Sequence, residues 1–123
     1  MPKHKILVVE PDDEIRNMLD IYFTNLGYEV ETTLTGNDAI ELVKSLLPDV
    51  MILVMNLPDM SGYDVIRELR QNELTKTIPV IYLEENKERE FIQRTITYGY
   101  PHDDMLIKPF DIEELKLRLI HAI

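Results

Sequence analysis

Short apolar runs alternate along this chain with longer segments in which apolar residues recur at helical spacing. The run Ile6–Val9 is apolar at every position, as expected of a central parallel strand that is covered on both faces. Comparable strand-like runs start at Tyr28, Val50, Pro79 and Met105. The pattern therefore predicts five strands, and the third leads into a loop marked by proline and glycine.

A segment with helical spacing follows each predicted strand. After the first strand, apolar residues keep this spacing up to Gly27, where a helix would end. The charged segment Lys87–Tyr98 predicts the fourth helix. Capping residues are predicted at the starts of the second, third and last helices: Thr35, Ser61, and Asp111 with Glu114 in a capping box.

Five strand–helix units in succession predict an α/β fold, a doubly wound parallel sheet with helices on both faces. Periodicity does not determine the order of the strands. The first strand is not followed by the glycine motif of dinucleotide-binding folds, and there is no phosphate-binding P-loop motif. Periodicity thus predicts the fold class and leaves the function open.

Length and composition narrow the function classes. The 123 residues fit one domain, 1–123, and a hydrophobic content of 45% is sufficient for a core. A formal net charge of −10 argues against binding to nucleic acid or to an anionic membrane, and it favours basic or mixed protein partners. The sequence has no cysteine, which excludes a thiolate zinc site, and its three histidines are far apart, which argues against a metal cluster. No apolar run approaches the roughly 18 residues of a membrane span. The start of the chain is too polar for a signal peptide, so the predicted location is the cytoplasm.

Four sequence motifs lie at the carboxyl ends of the predicted strands. They are ILVVEPDDEIR, PDVMILVMNLPDMSG, IPVIYL and IKPF. In this order they resemble the receiver domain of two-component response regulators, and the resemblance spans essentially the whole chain. It implies the flavodoxin-like (βα)5 fold with strand order 2-1-3-4-5.

The resemblance also implies a chemistry for these loops. In the family, a carboxylate at the end of the third strand accepts a phosphoryl group, and two acidic residues after the first strand help to hold Mg²⁺. A hydroxyl group after the fourth strand and a lysine after the fifth bind the phosphoryl oxygens. An aromatic residue shortly before that lysine changes rotamer as the signal.

The first half of this chain departs from that pattern. The phosphoacceptor position is Val54, which has no lone pair with which to form an acyl phosphate. Glu10 keeps the first acidic position, whereas the second is Pro11. Asp12 matches a position that is often acidic, but we expect it to cap the first helix.

The second half departs as well. The hydroxyl position is Glu84, and the aromatic switch position is Met105. Asn56 matches the family, although its role there is to offer a backbone carbonyl group. Lys108 and Pro109 stand as the family has them, and the resemblance implies a cis peptide bond between them.

Without a phosphoryl group or an aspartate, a lysine in this pocket needs another partner, because an unpaired buried charge is very costly. We expect Lys108 to form an ion pair with Glu10, with Glu84 or with both, the alternative being an outward-pointing side chain. Glu10 and Asp12 alone make a poor magnesium site, so neither a metal nor another cofactor is predicted.

The sequence is therefore interpreted as a degenerate receiver, or pseudo-receiver, that is not an enzyme and acts in signalling through protein contacts. A homodimer or docking face is expected on the fourth helix, the fifth strand and the fifth helix, which carry Tyr98, Tyr100 and Leu117. The sequence is also compatible with the N-terminal part of a longer regulator. Three alternatives stay open: phosphorylation at a shifted acceptor, Asp59 or Asp12; a small-ligand sensor that uses the vacated pocket; and, ranked last, an unrelated enzyme.

Overall fold

The computed structural model describes residues 3–85 and 103–123. Within these residues the strands are β1 (Lys5–Val9), β2 (Glu29–Thr33), β3 (Val50–Val54), β4 (Val80–Glu84) and β5 (Asp104–Ile107). The helices are α1 (Asp13–Asn25), α2 (Gly36–Leu46), α3 (Gly62–Gln71) and, at the C-terminal end, α4 (Ile112–Ala122). The helix predicted at Lys87–Tyr98 lies outside the described residues, as do Tyr98 and Tyr100.

The strands form one parallel sheet in the order β2-β1-β3-β4-β5. The predicted fold class and the strand order implied by the resemblance are both confirmed. β3 is buried over its whole length, and β1 at every position after its first. Because Val9 pairs with Leu53 and Val54 with Leu83, the carboxyl ends of the central strands meet at one edge of the sheet. That edge carries the candidate site.

Side-chain caps define where the helices begin. Asp12 Oδ1 accepts from the backbone N–H of Glu14 at 2.9 Å and of Ile15 at 3.2 Å. Thr35 caps α2, and Ser61 forms a full capping box with Asp64. Caps of this kind each stabilise a protein by about 1 kcal/mol.

The capping box predicted for α4 is replaced by a simpler arrangement. Asp111 accepts from the backbone N–H of Glu113 at 2.8 Å. Glu114 Oε1 accepts from Arg118 Nη2 at 2.9 Å, so this carboxylate oxygen faces along the helix. Arg118, one turn further along the helix, is a charged donor. It makes a stronger hydrogen bond with Glu114 than a backbone amide would.

Two helices end at residues with a left-handed backbone. Gly27, which follows α1, has φ of 99°, and glycine adopts this conformation without steric cost. Leu47, the C-cap of α2, has φ of 48°, which is strained for a branched side chain. The sequence predicts both ends, since Gly27 follows the first helix and Pro48 cannot continue the second, but it does not predict the left-handed backbone of Leu47.

A buried polar cluster anchors the start of β5 at the opposite edge of the sheet. Asp103 accepts from Arg70 Nη2 at 2.6 Å, from Tyr82 Oη at 2.8 Å and from the backbone N–H of Val80 at 2.8 Å. The side chains of Arg70 and Asp103 are 9% and 4% exposed. Burial, with the nearby Asp103 carboxylate, raises the pKa of the Tyr82 phenol. The cluster connects α3, β4 and β5, and sequence periodicity gave no indication of it.

Candidate functional site

A pocket of about 250 Å³ opens at the carboxyl ends of β1, β3, β4 and β5. The fold brings together here residues from four separate segments of the sequence. Of the nine positions compared with the receiver motifs, seven line it: Glu10, Pro11, Asp12, Val54, Asn56, Glu84 and Lys108. The two others, Met105 and Pro109, do not line the pocket.

An ion pair crosses this pocket. Lys108 Nζ lies 3.0 Å from Glu10 Oε2, and the two side chains are 13% and 2% exposed. Glu10 Oε1 accepts from the backbone N–H of Asp12 at 3.1 Å, so both oxygens of the buried carboxylate have donors. The predicted pairing of Lys108 with Glu10 is therefore present.

The backbone around Lys108 fixes where its side chain starts. The N–H of Lys108 donates to the carbonyl oxygen of Glu84 at 2.7 Å, which extends the β4–β5 pairing by one residue. The peptide bond between Lys108 and Pro109 is cis. Glu84 also lines the pocket, and its Oε1 accepts from the backbone N–H of Glu85 at 2.7 Å.

Val54 forms part of the pocket wall at the end of β3. The residue is 6% exposed and belongs to the hydrophobic core. Two residues on, Asn56 is exposed and forms an isolated antiparallel bridge with Ser61, which closes the loop before α3. At the third strand the pocket thus presents a hydrocarbon side chain.

The two aspartates considered as shifted acceptors have other contacts. Asp12 lines the pocket, but its Oδ1 caps α1. Asp59 accepts from the backbone N–H of Gly36 at 2.8 Å and of Asn37 at 2.9 Å, at the start of α2. These two hydrogen bonds hold the pKa of Asp59 below its usual value. Asp59 is not among the residues that line the pocket.

Met105, at the expected switch position, is half-buried in β5 and packs against the core. It pairs with Tyr82 of β4 in the sheet register. A methionine side chain is flexible and fills irregular gaps in a core. Met105 therefore contributes packing at this point of β5.

A second, more open groove of about 670 Å³ adjoins the pocket, and the sequence interpretation had not identified it. The groove lies between α1 and the segment that leads into α4. The lining consists mainly of apolar side chains: Ile15, Met18, Pro109, Phe110 and Ile112, with Glu85 and Lys108. In the sequence, Ile15 and Met18 belong to the apolar pattern of the first helix, and the structure leaves Met18 45% exposed at this groove.

Comparisons of the sequence and the fold with known proteins identify the family of this chain. Residues 6–120 match the family model of the response regulator receiver domain. The chain belongs to the response regulator receiver family. It is 34% identical over 114 residues to the response regulator SaeR of Staphylococcus aureus strain USA300, covering 93% of this chain and 48% of SaeR. This receiver domain thus spans about half the length of the curated relatives it matches.

Solved structures show the same likeness. Chemotaxis protein CheY4 of Vibrio cholerae superposes on this receiver with a TM-score of 0.91 at 29% identity, over 99% of this chain and all of CheY4. The receiver domain of sensor histidine kinase PA1611 from Pseudomonas aeruginosa PAO1 gives 0.85 at 25% identity, over 98% of each chain. That structure has a magnesium ion coordinated in its active-site cleft.

The residues of this receiver do not form a comparable magnesium site. Both oxygens of Glu10 accept from protein donors, and Pro11 has no side-chain ligand to offer at the second acidic position. Residues 3–85 and 103–123 contain no group of three or more acidic or histidine side chains arranged to hold a metal ion. Mg²⁺ binds through carboxylates together with phosphate oxygens and water, and this pocket has no free pair of carboxylates after β1.

Receiver domains are signalling domains that interact with partner proteins such as histidine kinases. Across the part of the chain that the structure describes, every helix is too short or too polar to cross a bilayer.

Proposed function

We propose that this receiver domain signals through protein contacts without being phosphorylated and does not act as an enzyme. The observation that carries the proposal is Val54, which lines the pocket at the end of β3 beside Lys108. Phosphoryl transfer to a receiver needs a carboxylate at this point, and a valine side chain cannot attack phosphorus. The receiver scaffold is kept, and the reactive group is replaced.

The Glu10–Lys108 pair supports a single resting arrangement of the pocket. In this proposal the lysine that would bind phosphoryl oxygens binds a resident carboxylate at 3.0 Å instead. Because both side chains are largely buried, separating them would leave two desolvated charges, which costs several kcal/mol. The pocket is thereby held in one state, and a partner protein supplies the signal.

The positions of Asp12 and Asp59 argue against a shifted acceptor. In-line transfer needs the acceptor and the lysine to converge within about 3 Å of one point. Asp12 is engaged as the cap of α1, and Asp59 is bonded at the start of α2. The ammonium of Lys108 bonds to Glu10 Oε2 at 3.0 Å.

Incubation with acetyl phosphate and Mg²⁺, followed by intact-mass measurement, tests the proposal. We expect no gain of a phosphoryl group. The variant V54D/P11D/E84T, which introduces the side chains that the resemblance implies, is expected to gain one and serves as the positive control. Its matched control is V54N/P11D/E84T, which lacks only the acceptor carboxylate. Phosphorylation of the unmodified chain would contradict the proposal, and the variants D12N and D59N would then locate the acceptor.

We propose β5 and α4 as one contact face, either for a partner protein or for a second copy. Arg118 Nη1 donates to both oxygens of Asp104, at 2.9 and 2.7 Å, and the preceding residue of α4, Leu117, is 54% exposed. An exposed leucine next to an ordered ion pair is a reasonable interface element. Sedimentation of the wild type and of Leu117→Arg tests the second copy: we expect self-association that the variant weakens, and a wild type that stays monomeric excludes the homodimer.

A further inference from the structure

Asp103 immediately precedes β5 and joins this strand to the body of the domain through three hydrogen bonds. Its Oδ1 accepts from the backbone N–H of Val80, and its Oδ2 accepts from Arg70 Nη2 and from Tyr82 Oη. These donors belong to α3 and β4, and Tyr82 is fully buried. A carboxylate with three donors, one of them charged, is a strong and geometrically specific anchor.

Arg70 is itself held in place by the backbone. Its Nη1 donates to the carbonyl oxygen of Lys76 at 3.0 Å and to that of Ile78 at 2.8 Å, in the segment that leads into β4. The guanidinium group therefore connects α3, this segment and Asp103. Because the Arg70 and Asp103 side chains are 9% and 4% exposed, water and salt screen their attraction little.

β5 has few apolar contacts that could hold it in position. The strand is four residues long, and Leu106 is its one buried side chain, whereas β3 buries all five of its residues. Within residues 3–85 and 103–123, β5 pairs with β4 and with no other strand. The position of this edge strand thus depends on the polar contacts at its two ends.

Lys108 lies at the other end of β5. Its backbone N–H donates to the carbonyl oxygen of Glu84 at 2.7 Å, and its ammonium bonds to Glu10 Oε2 at 3.0 Å. This pair already reaches across β3 and β4 and has little slack, and such a bond is lost beyond about 3.5 Å. A small displacement of β5 would therefore separate the two charges.

We propose that Asp103 is a positioning residue for the Glu10–Lys108 ion pair. By holding the start of β5 against β4 and α3, it sets the place from which the Lys108 side chain extends. The two residues are five positions apart, about 16 Å along an extended strand, so Asp103 acts through the backbone of β5 and not by contact. The inference rests on the proposed function, in which this ion pair keeps the pocket in its resting state.

Hydrogen exchange measured by NMR tests the role of Asp103. The readouts are the ammonium and the backbone amide of Lys108, with the amide of Met51 as a reference in the core, where it donates to the carbonyl oxygen of Pro79. We expect Asp103→Asn to speed exchange of both Lys108 groups at least about tenfold and that of Met51 less than about threefold. Equal acceleration at Met51 would indicate a general loss of stability and would refute a positioning role.

Asp104→Asn is the matched control. It removes the same charge from the next residue of the chain, but Asp104 pairs with Arg118 on the surface, where their side chains are 34% and 39% exposed. We expect D104N to change exchange of the Lys108 ammonium less than about twofold. If D104N and D103N had equal effects, the loss of any carboxylate near β5 would explain the result, and the proposal would fail.

Tyr82→Phe gives a milder test, which keeps the proposal falsifiable if D103N does not fold. This variant removes one of the three donors and leaves the Arg70–Asp103 ion pair in place. We expect the Lys108 ammonium to exchange about threefold faster in Y82F, with Met51 unchanged. An unchanged Lys108 ammonium in Y82F would count against the anchor. Thermal unfolding of each variant verifies that it is folded.

The acetyl phosphate measurement on the same samples keeps the two proposals apart. A domain that gains no phosphoryl group, and whose Lys108 ammonium is indifferent to D103N, contradicts the positioning role alone. A domain that gains a phosphoryl group contradicts the proposed function, whatever the exchange rates are.

Discussion

Lys108 Nζ lies 3.0 Å from Glu10 Oε2, although the two residues are 98 positions apart in the sequence. β1 and β5 are separated in the sheet by β3 and β4, a distance of about three strand spacings of 4.8 Å. The two side chains span this distance over the end of β3, where Val54 provides no charge. The ion pair therefore joins the two strands that flank β3 and β4 at the carboxyl end of the sheet.

Removing one partner of this pair should destabilise the domain strongly. Lys108→Met leaves the Glu10 carboxylate buried without its ammonium, and we expect the free energy of unfolding to fall by about 3 kcal/mol. The double variant E10Q/K108M should recover most of this loss, because no uncompensated charge remains. Urea unfolding of the wild type and of both variants measures these free energies.

Lys116→Met provides the control, because Lys116 pairs with Glu113 on the surface, where their side chains are 29% and 61% exposed. We expect K116M to change the free energy of unfolding only slightly. If K108M were no more harmful than K116M, the buried pair would be without importance for stability.

The hydrogen bonds of Asp59 should make the stability of α2 depend on acidic pH. The folded-state pKa of Asp59 is lowered from its usual 3.8, so its contribution is present above that value and is lost as the pH falls through the folded-state pKa. Asp59→Asn should therefore lower the melting temperature at pH 7, and the difference from wild type should shrink on acidification below about pH 4.

The amide signals of Gly36 and Asn37 provide an independent measurement. They should titrate with Asp59 in the wild type and stay constant in D59N, since their N–H groups donate to this carboxylate. Glu41→Gln, on the exposed side of α2, removes the same charge without touching these donors. An equal loss of melting temperature in E41Q at pH 7 would point to a general charge effect.

The buried phenol of Tyr82 should make the domain sensitive to alkaline pH. Its folded-state pKa is raised above the ordinary value of 10.0, so the associated stability is complete below pH 10 and is lost as the pH rises toward the folded-state pKa. Tyr82→Phe should lower the free energy of unfolding by about 1 kcal/mol at pH 7, because the hydrogen bond to Asp103 is lost.

Above pH 10, the stability of the wild type should fall more steeply than that of Y82F, because only the wild type must ionise this group on unfolding. Urea unfolding at a series of pH values between 9 and 11 would show it. Parallel curves for the two proteins would indicate that Tyr82 ionises equally easily in the folded and unfolded states.

The left-handed backbone at Leu47 offers a stabilising substitution. Leu47→Gly removes a steric cost of about 1 kcal/mol, offset in part by the greater freedom of glycine in the unfolded chain. We expect a small rise in melting temperature. Gly27→Ala, at φ of 99° and with none of the described residues within 4 Å of the added methyl group, should lower it for the converse reason. A destabilising L47G would show that side-chain packing of Leu47 outweighs its backbone strain.

Short-range patterns in the sequence were sufficient to predict the alternation of strands and helices within residues 3–85 and 103–123. The caps Asp12, Thr35 and Ser61 were also predictable, because a cap bonds to amides two or three residues away. The observed strands differ from those predicted by about one residue at some ends, as for β5, which starts at Asp104 rather than Met105. The strand order followed from the family resemblance and not from periodicity.

By itself, then, the sequence determined the elements, the α/β class and the identity of the residues at the strand ends. Only the tertiary structure decided that Lys108 pairs with Glu10, that Asp59 bonds to the start of α2, and that Asp103 joins Arg70 and Tyr82. Each of these contacts joins residues more than 20 positions apart. Hydrogen bonds and ion pairs act over a few ångströms in space, and their partners are set by how the strands pack rather than by spacing along the chain.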